Sequence, residues 1–167
     1  MNKANIMIAR NNKGYCIKVQ GRATFECCSP IKNFADNIVS GVIQQITIDL
    51  KSCTWMDSTF MGTLAILGLH AKRADISVKI INVDEKNLIL LKELGIHKLF
   101  VFGSGTPKTI CSEWENIISQ QAHPDNKIVA ETILDAHETL ISVDKKNTSK
   151  FTKVVELVKK ELESDNS

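Results

Sequence analysis

Asp57, Ser58 and Thr59 follow a β-type run, Ile46-Thr-Ile-Asp-Leu50, and a tight crossing, Lys51-Ser-Cys-Thr54 and Trp55-Met56. Behind them, Phe60-Met-Gly-Thr-Leu64 opens an apolar helical pattern. All three leading residues cap helices well, because a short side-chain oxygen can accept from the free N–H groups of a first turn. A hydroxyl at that position has a second use. The helix dipole and the unpaired amides favour a phosphate there, so Ser58 can be modified without breaking the helix it starts. A phosphoserine adds about −1.5 to −2 charges near neutral pH, and the effect falls on whatever docks nearby. The spacing predicts a Ser58 offered to solvent, with Thr59 as an alternative acceptor; if that hydroxyl is a phosphorylation site the protein is a switch, and otherwise the triplet is a well-capped helix start.

No other residues assemble a catalytic group. His70, His97, His123 and His137 are scattered, in no triad or metal-ligand spacing. His97 follows Gly95-Ile96 and reads as a surface residue at a turn. Gly103-Ser-Gly105 is a loop signal, and neither a Gly-x-Gly-x-x-Gly nor a P-loop is present. The five cysteines are odd in number and include no Cys-x-x-Cys pair, so Cys16, Cys27, Cys28, Cys53 and Cys111 read as small buried hydrophobes in a reducing compartment. No enzyme, no cofactor and no metal follow from this inventory. The formal net charge of +2 comes from interspersed signs, which points to neither nucleic acid nor membrane as a partner. The polar start, Met1-Asn-Lys-Ala-Asn5, has no apolar stretch behind it, and no run approaches the ~20 residues needed to span a bilayer. The expected compartment is the cytoplasm.

The elements that must position Ser58 are readable from period. Ile6 and Ile8, then Tyr15, Ile17 and Val19, alternate on either side of Asn11-Asn-Lys-Gly14, which predicts a β-hairpin over residues 5–20. Ser29-Pro30 reads as a helix start, with Ile31, Phe34, Ile38 and Val42 as the apolar side. Ile46–Leu50 suits a central strand buried on both faces. Met61, Leu64, Ala65, Leu67, Gly68 and Ala71 form the apolar side of the helix that Ser58 begins. Val78–Asn82 is a further strand, Asp84 caps a helix over 85–94 that stops at Gly95, and Leu99–Phe102 is the last strand. The order β-β-α-β-α-β-α-β implies a mixed sheet with parallel crossovers, an α/β fold flanked by helices.

The tail differs in kind. Glu113–Gln121 reads as a short amphipathic helix closed by His123-Pro124-Asp125-Asn126. From Lys127 onward Leu134, Ile141, Thr148, Val155 and Leu162 recur seven apart. A second seam, His137, Asp144, Phe151 and Val158, lies three residues after four of these and is polar in its first half. Asp144–Lys150 interrupts the pattern, so either one long helix has a polar middle or two helices fold back around Asn147. Such a segment docks on its own domain or pairs with a second copy as a coiled coil.

At the Ser58 element the sequence resembles a STAS domain (sulfate transporter and anti-sigma factor antagonist). Ile48-Asp-Leu50 through Met56-Asp57-Ser58-Thr59 and Gly62 are similar to that family's strand, loop, Asp-Ser and helix. Val78–Val83, Leu91–Phe100 and the hairpin ending in Gly21-Arg22-Ala23-Thr24 continue the likeness, over roughly residues 4–120. The resemblance implies a STAS-like mixed sheet flanked by helices over 1–125, with an extra C-terminal helical extension over 126–167. It implies a bacterial anti-sigma factor antagonist, in which a serine-kinase-type anti-sigma factor phosphorylates Ser58 and a metal-dependent serine phosphatase restores it. The unphosphorylated form binds the kinase and so frees a sigma factor. Asp57, Ser58, Thr59, Phe60, Met61, Gly62 and Thr24 are then the expected partner-binding residues, with Asp57 orienting the hydroxyl. The family's Asp-Ser-Ser-Gly-Leu-Gly reads Asp57-Ser-Thr-Phe-Met-Gly62 here, and Phe60 in place of the first glycine implies a different partner fit beside the switch. The rival implication is a scaffold or assembly subunit that binds a transporter or signalling partner and uses its tail for dimerisation.

Overall fold

A computed structural model describes residues 4–107, 114–117 and 124–167. Cys111 and His123 lie outside these residues. The first two strands, β1 (Asn5–Asn11) and β2 (Gly14–Ala23), form the expected antiparallel hairpin. Its turn is held by the Asn11 side chain, whose Oδ1 accepts from the N–H groups of Lys13 and Gly14 at 2.9 and 2.8 Å.

Three crossovers follow, through α1 (Cys28–Asp36) to β3 (Gln45–Met56), through α2 (Ser58–Arg73) to β4 (Ser77–Ile81), and through α3 (Glu85–Glu93) to β5 (Val101–Gly103). Strands β2, β3, β4 and β5 run parallel, and a short β6 (Glu115–Asn116) pairs antiparallel with β1. The sheet order is β5-β4-β3-β2-β1-β6, an α/β fold built on a six-stranded mixed sheet. The carboxyl end of β3, where Ser58 begins the next helix, therefore lies near the middle of the sheet.

Register aligns Tyr15 with Ile46 and Val78, and Ile17 with Ile48 and Ile80. Because side chains alternate across a strand, these residues share one face, and most of them join the buried core. Every residue of Ile46–Leu50 is buried, as a strand covered on both sides requires. The second face is polar: Thr47 and Asp49 occupy it, and Asp49 Oδ1 accepts from Lys51 N and Asn82 Nδ2.

Four local expectations are corrected. Helix α1 starts at Cys28, straight out of a 3₁₀ turn, and not behind a Ser29 cap. Pro30 is tolerated as its third residue because first-turn amides have no partner within the helix. The helix also ends at Asp36, leaving Val42 69% exposed. There Asn37 supplies an alternative, its Nδ2 donating to Asn33 O. Of Glu113–Gln121 only Trp114–Ile117 is described, and it contains strand β6 where a helix was expected. The last strand is shifted to Val101–Gly103, because Gly95 at φ +73° leads into a 3₁₀ turn over Ile96–Leu99.

The tail resolves into two helices, α4 (Asn126–Val143) and α5 (Asn147–Asp165), folded back on each other. Helix α4 packs on α2, so the extension docks on its own domain. Among the described residues no helix is long and apolar enough to cross a membrane.

Cys16, Cys27, Cys28 and Cys53 are all buried and free. Burial pushes the Cys16 and Cys27 thiols up to about 12, the Cys53 thiol up to about 11, and the Cys28 thiol well above its usual value. Since the thiolate is the nucleophile, iodoacetamide at mildly alkaline pH is expected to alkylate these four roughly 100-fold or more slowly in the native protein than in denaturant. Peptide-resolved mass spectrometry reads each site separately. Fast native labelling of any of the four would contradict its placement.

Candidate functional site

Strand β3 delivers Asp57 to the N-cap of α2 in extended backbone, φ −86° and ψ 171°. Its carboxylate serves two segments. Oδ1 accepts from Phe60 N at 2.7 Å inside the helix, and Oδ2 accepts from Phe25 N at 2.8 Å across the gap from β2. The backbone N–H of Asp57 donates to Ala23 O at 3.0 Å. One residue thus caps the helix and ties the end of β2 to its start. Burial raises the Asp57 carboxyl above its ordinary value, against the pull of the Phe60 and Phe25 amides and of His137. The folded protein therefore holds this proton more tightly than the unfolded chain does. The stability contributed at this site declines as pH rises through the raised pKa.

Ser58 is the first residue of α2 and is half-buried, more covered than an isolated helix start would be. Its Oγ lies 2.9 Å from Nε2 of His137 on α4, a residue 79 positions away. The other ring nitrogen, Nδ1, lies 2.7 Å from the Ile133 carbonyl oxygen. A carbonyl can only accept, so Nδ1 carries the proton there. In the neutral imidazole Nε2 is then the acceptor, and the Ser58 hydroxyl donates to it. His137 is 3% exposed and its ring meets Phe151 of α5 edge-on, at 5.0 Å between centroids. A hydroxyl that donates to an imidazole oriented from behind is more nucleophilic than a free serine.

The neighbours of Ser58 mostly face inward. Thr59, Phe60 and Met61 are buried, with Phe60 fully so. The Thr59 carbonyl accepts from Thr63 Oγ1 at 2.8 Å. Gly62 lies against α4: a Cβ there would sit 2.5 Å from Ala136 O. Thr24 is half-buried at the start of the 3₁₀ turn, and its carbonyl accepts from Cys27 N and from the thiols of Cys27 and Cys28. Of the expected partner-binding residues, Asp57, Ser58 and Thr24 therefore reach the surface, while Thr59, Phe60 and Met61 do not in this arrangement.

Two aromatic residues outside that set do. Phe25 is 42% exposed and Trp55 39% exposed, and the Arg22 guanidinium stacks over Trp55 at 4.5 Å. Both flank Asp57, Phe25 through its amide bond and Trp55 two residues upstream. Their signal in the sequence was positional only, an aromatic at each strand end beside the cap. His137 carried a weaker signal, as a polar member of the second heptad seam.

A cavity of about 530 Å³ opens between α1, α2 and α4, bordered by Lys32, Asp36, His70, Asp135 and Glu138. Ser58 is not among its lining residues. No family model matches this chain, and no curated protein matches its sequence.

Proposed function

We propose that the chain is a phosphorylation-switched binding module, a STAS-type anti-sigma factor antagonist acting in the cytoplasm of a bacterium. Unphosphorylated, it sequesters a serine-kinase-type anti-sigma factor and so frees a sigma factor. The observation that carries this reading is Ser58 itself, at the first position of α2, backed by the Asp57 cap and bonded to His137. Transfer of the γ-phosphoryl group of ATP, catalysed by the partner kinase, forms the Oγ–P bond and releases ADP and the hydroxyl proton. His137 Nε2 already holds that proton in a hydrogen bond. A metal-dependent serine phosphatase reverses the step. The exposed Phe25, Trp55 and Arg22 group supplies an anchor for the partner beside the switch, since aromatic and arginine side chains dominate protein interfaces.

The experiment is phosphorylation with the cognate kinase and ATP, read by peptide mass spectrometry. One phosphate on Ser58 is expected, and none on a Ser58→Ala variant. Calorimetry should find kinase binding kept by Ser58→Ala and weakened about 100-fold by Ser58→Asp. Equal affinities for the two variants would sink the reading. The scaffold alternative, with the tail as a dimerising element, has less support, because the second seam of the tail is already engaged within its own chain through His137 and Phe151.

A further inference from the structure

The main buried core draws little on the tail. Of the residues in the main buried core cluster, Leu140 is the sole member contributed by α4 and α5 among the described residues. The other buried positions of α4 are small or polar: Ala130, Thr132, Ala136 and His137. Helix α5 buries only Asn147 and Val158. Leu140 in the core, with Val143 and Phe151 half-buried against it, gives this interface its larger apolar side chains, and specific polar and close-packed contacts fix it in place.

Those contacts can be named. Ser58 donates to His137, Gly62 receives Ala136, and Lys32 of α1 pairs with Asp135 at 2.9 Å. At the far end Asn147 Nδ2 donates to Leu94 O. Two of the four fall on the first turns of α2, at Ser58 and one helical turn beyond it.

We propose that the α4–α5 hairpin is a detachable cap on the Ser58 face, closed by the Ser58–His137 bond and opened by phosphorylation of Ser58. The inference deepens the reading of Ser58 as a phosphate acceptor and rests on it for what the cap regulates. Phosphorylation replaces the O–H donor with an anion bearing three oxygens, so the bond to Nε2 is lost in its present form. Between Oγ and Nε2 there is 2.9 Å, and the imidazole is buried and meets Phe151 edge-on, so the group has no room where His137 now sits. Rotation of the serine toward solvent would instead strand a buried ring nitrogen. Either route favours the open state. While closed, the cap limits access to the Ser58 hydroxyl, so phosphorylation proceeds through the fraction of molecules that are open, whereas Phe25, Trp55 and Arg22 are exposed to a partner in the closed form as well.

Hydrogen exchange on the full chain tests this without any partner. Wild type is compared with Ser58→Glu and with Ala136→Leu, the second of which overfills the Gly62 contact while leaving α4 a good helix former. Both variants are expected to exchange the amides of α4 and α5 at least ~10-fold faster, with protection of β2, β3 and β4 unchanged. Unchanged exchange in α4 and α5 in both variants would overturn the cap. Parallel loss of protection in the strands would overturn it too, by making the hairpin part of the cooperative fold. A protein that opens in this assay but takes no phosphate on Ser58 would refute the function proposed above and leave the hairpin detachable.

Discussion

Phe60→Ala is expected to destabilise the protein by about 3–5 kcal/mol, the range for removing a large aromatic from a core. At roughly 2–4 °C per kcal/mol for a chain of this size, the melting temperature should fall by roughly 6–20 °C. The residue is fully buried and belongs to the same cluster as Leu64, Leu67 and Met56. Its place in the Asp57-Ser58-Thr59 segment suggests a contact residue, but the helix turns it the other way. The N-cap fixes the phase of α2: with Asp57 Oδ1 on Phe60 N, Ser58 meets His137 of α4 and Phe60 lies in the core. Trp55→Ala should show the opposite pattern, with a small effect on melting and a large loss of partner binding, since Trp55 is 39% exposed. Thermal melts of both variants, and calorimetry well below either midpoint, separate the two roles. A Phe60→Ala protein that melts like wild type but fails to bind would place Phe60 at the interface after all.

The parts of this molecule that were legible are those whose signal is local. Alternation located β1, β2 and the inward face of β3, and the Asp57 and Asp84 caps marked the starts of α2 and α3, where each carboxylate accepts from an amide three residues on. The order of elements followed from these. What stayed hidden depends on contacts between distant segments. Periodicity says which side of a helix is apolar, and nothing about which element that side will meet. His137 looked like a polar flaw in a seam, yet it is buried because Ser58 and Ile133 satisfy both ring nitrogens. Asp144 likewise interrupts the seam but packs against Gly95, where a Cβ would come within 2.5 Å of its Oδ2. Strand β6 was unreadable for another reason: a two-residue pairing is too short to impose a period on the sequence.

Asn147 is where the tail's two helices are both turned and fastened, and replacing it by aspartate is expected to detach them. The residue has no exposed surface, and its Nδ2 donates to Leu94 O at 2.9 Å and to Leu140 O at 2.8 Å. A carboxylate offers neither proton. It would set a charge against two carbonyl oxygens in a buried site, for which about 3–5 kcal/mol is the expected penalty when nothing compensates. The penalty falls where the hairpin turns, and the larger apolar side chains it sets on the core are Leu140, Val143 and Phe151, so α4 and α5 should come off while the strands hold. Hydrogen exchange would show the helical amides losing protection at neutral pH with β2, β3 and β4 unaffected. Acid should partly restore the docking, because the protonated carboxyl regains one donor and sheds its charge. The sign follows from burial. The folded site favours the protonated form, so the introduced group holds its proton above the ordinary aspartate range, and stability is lost as pH rises through that raised value. Asn147→Leu lacks the charge and should show a smaller, pH-independent loss, since two carbonyls are merely left unpaired. If neither Asn147→Asp nor Asn147→Leu speeds exchange in α4 and α5 at any pH, the amide does not fasten the hairpin. Its attachment would then have to come from the Ser58 end alone.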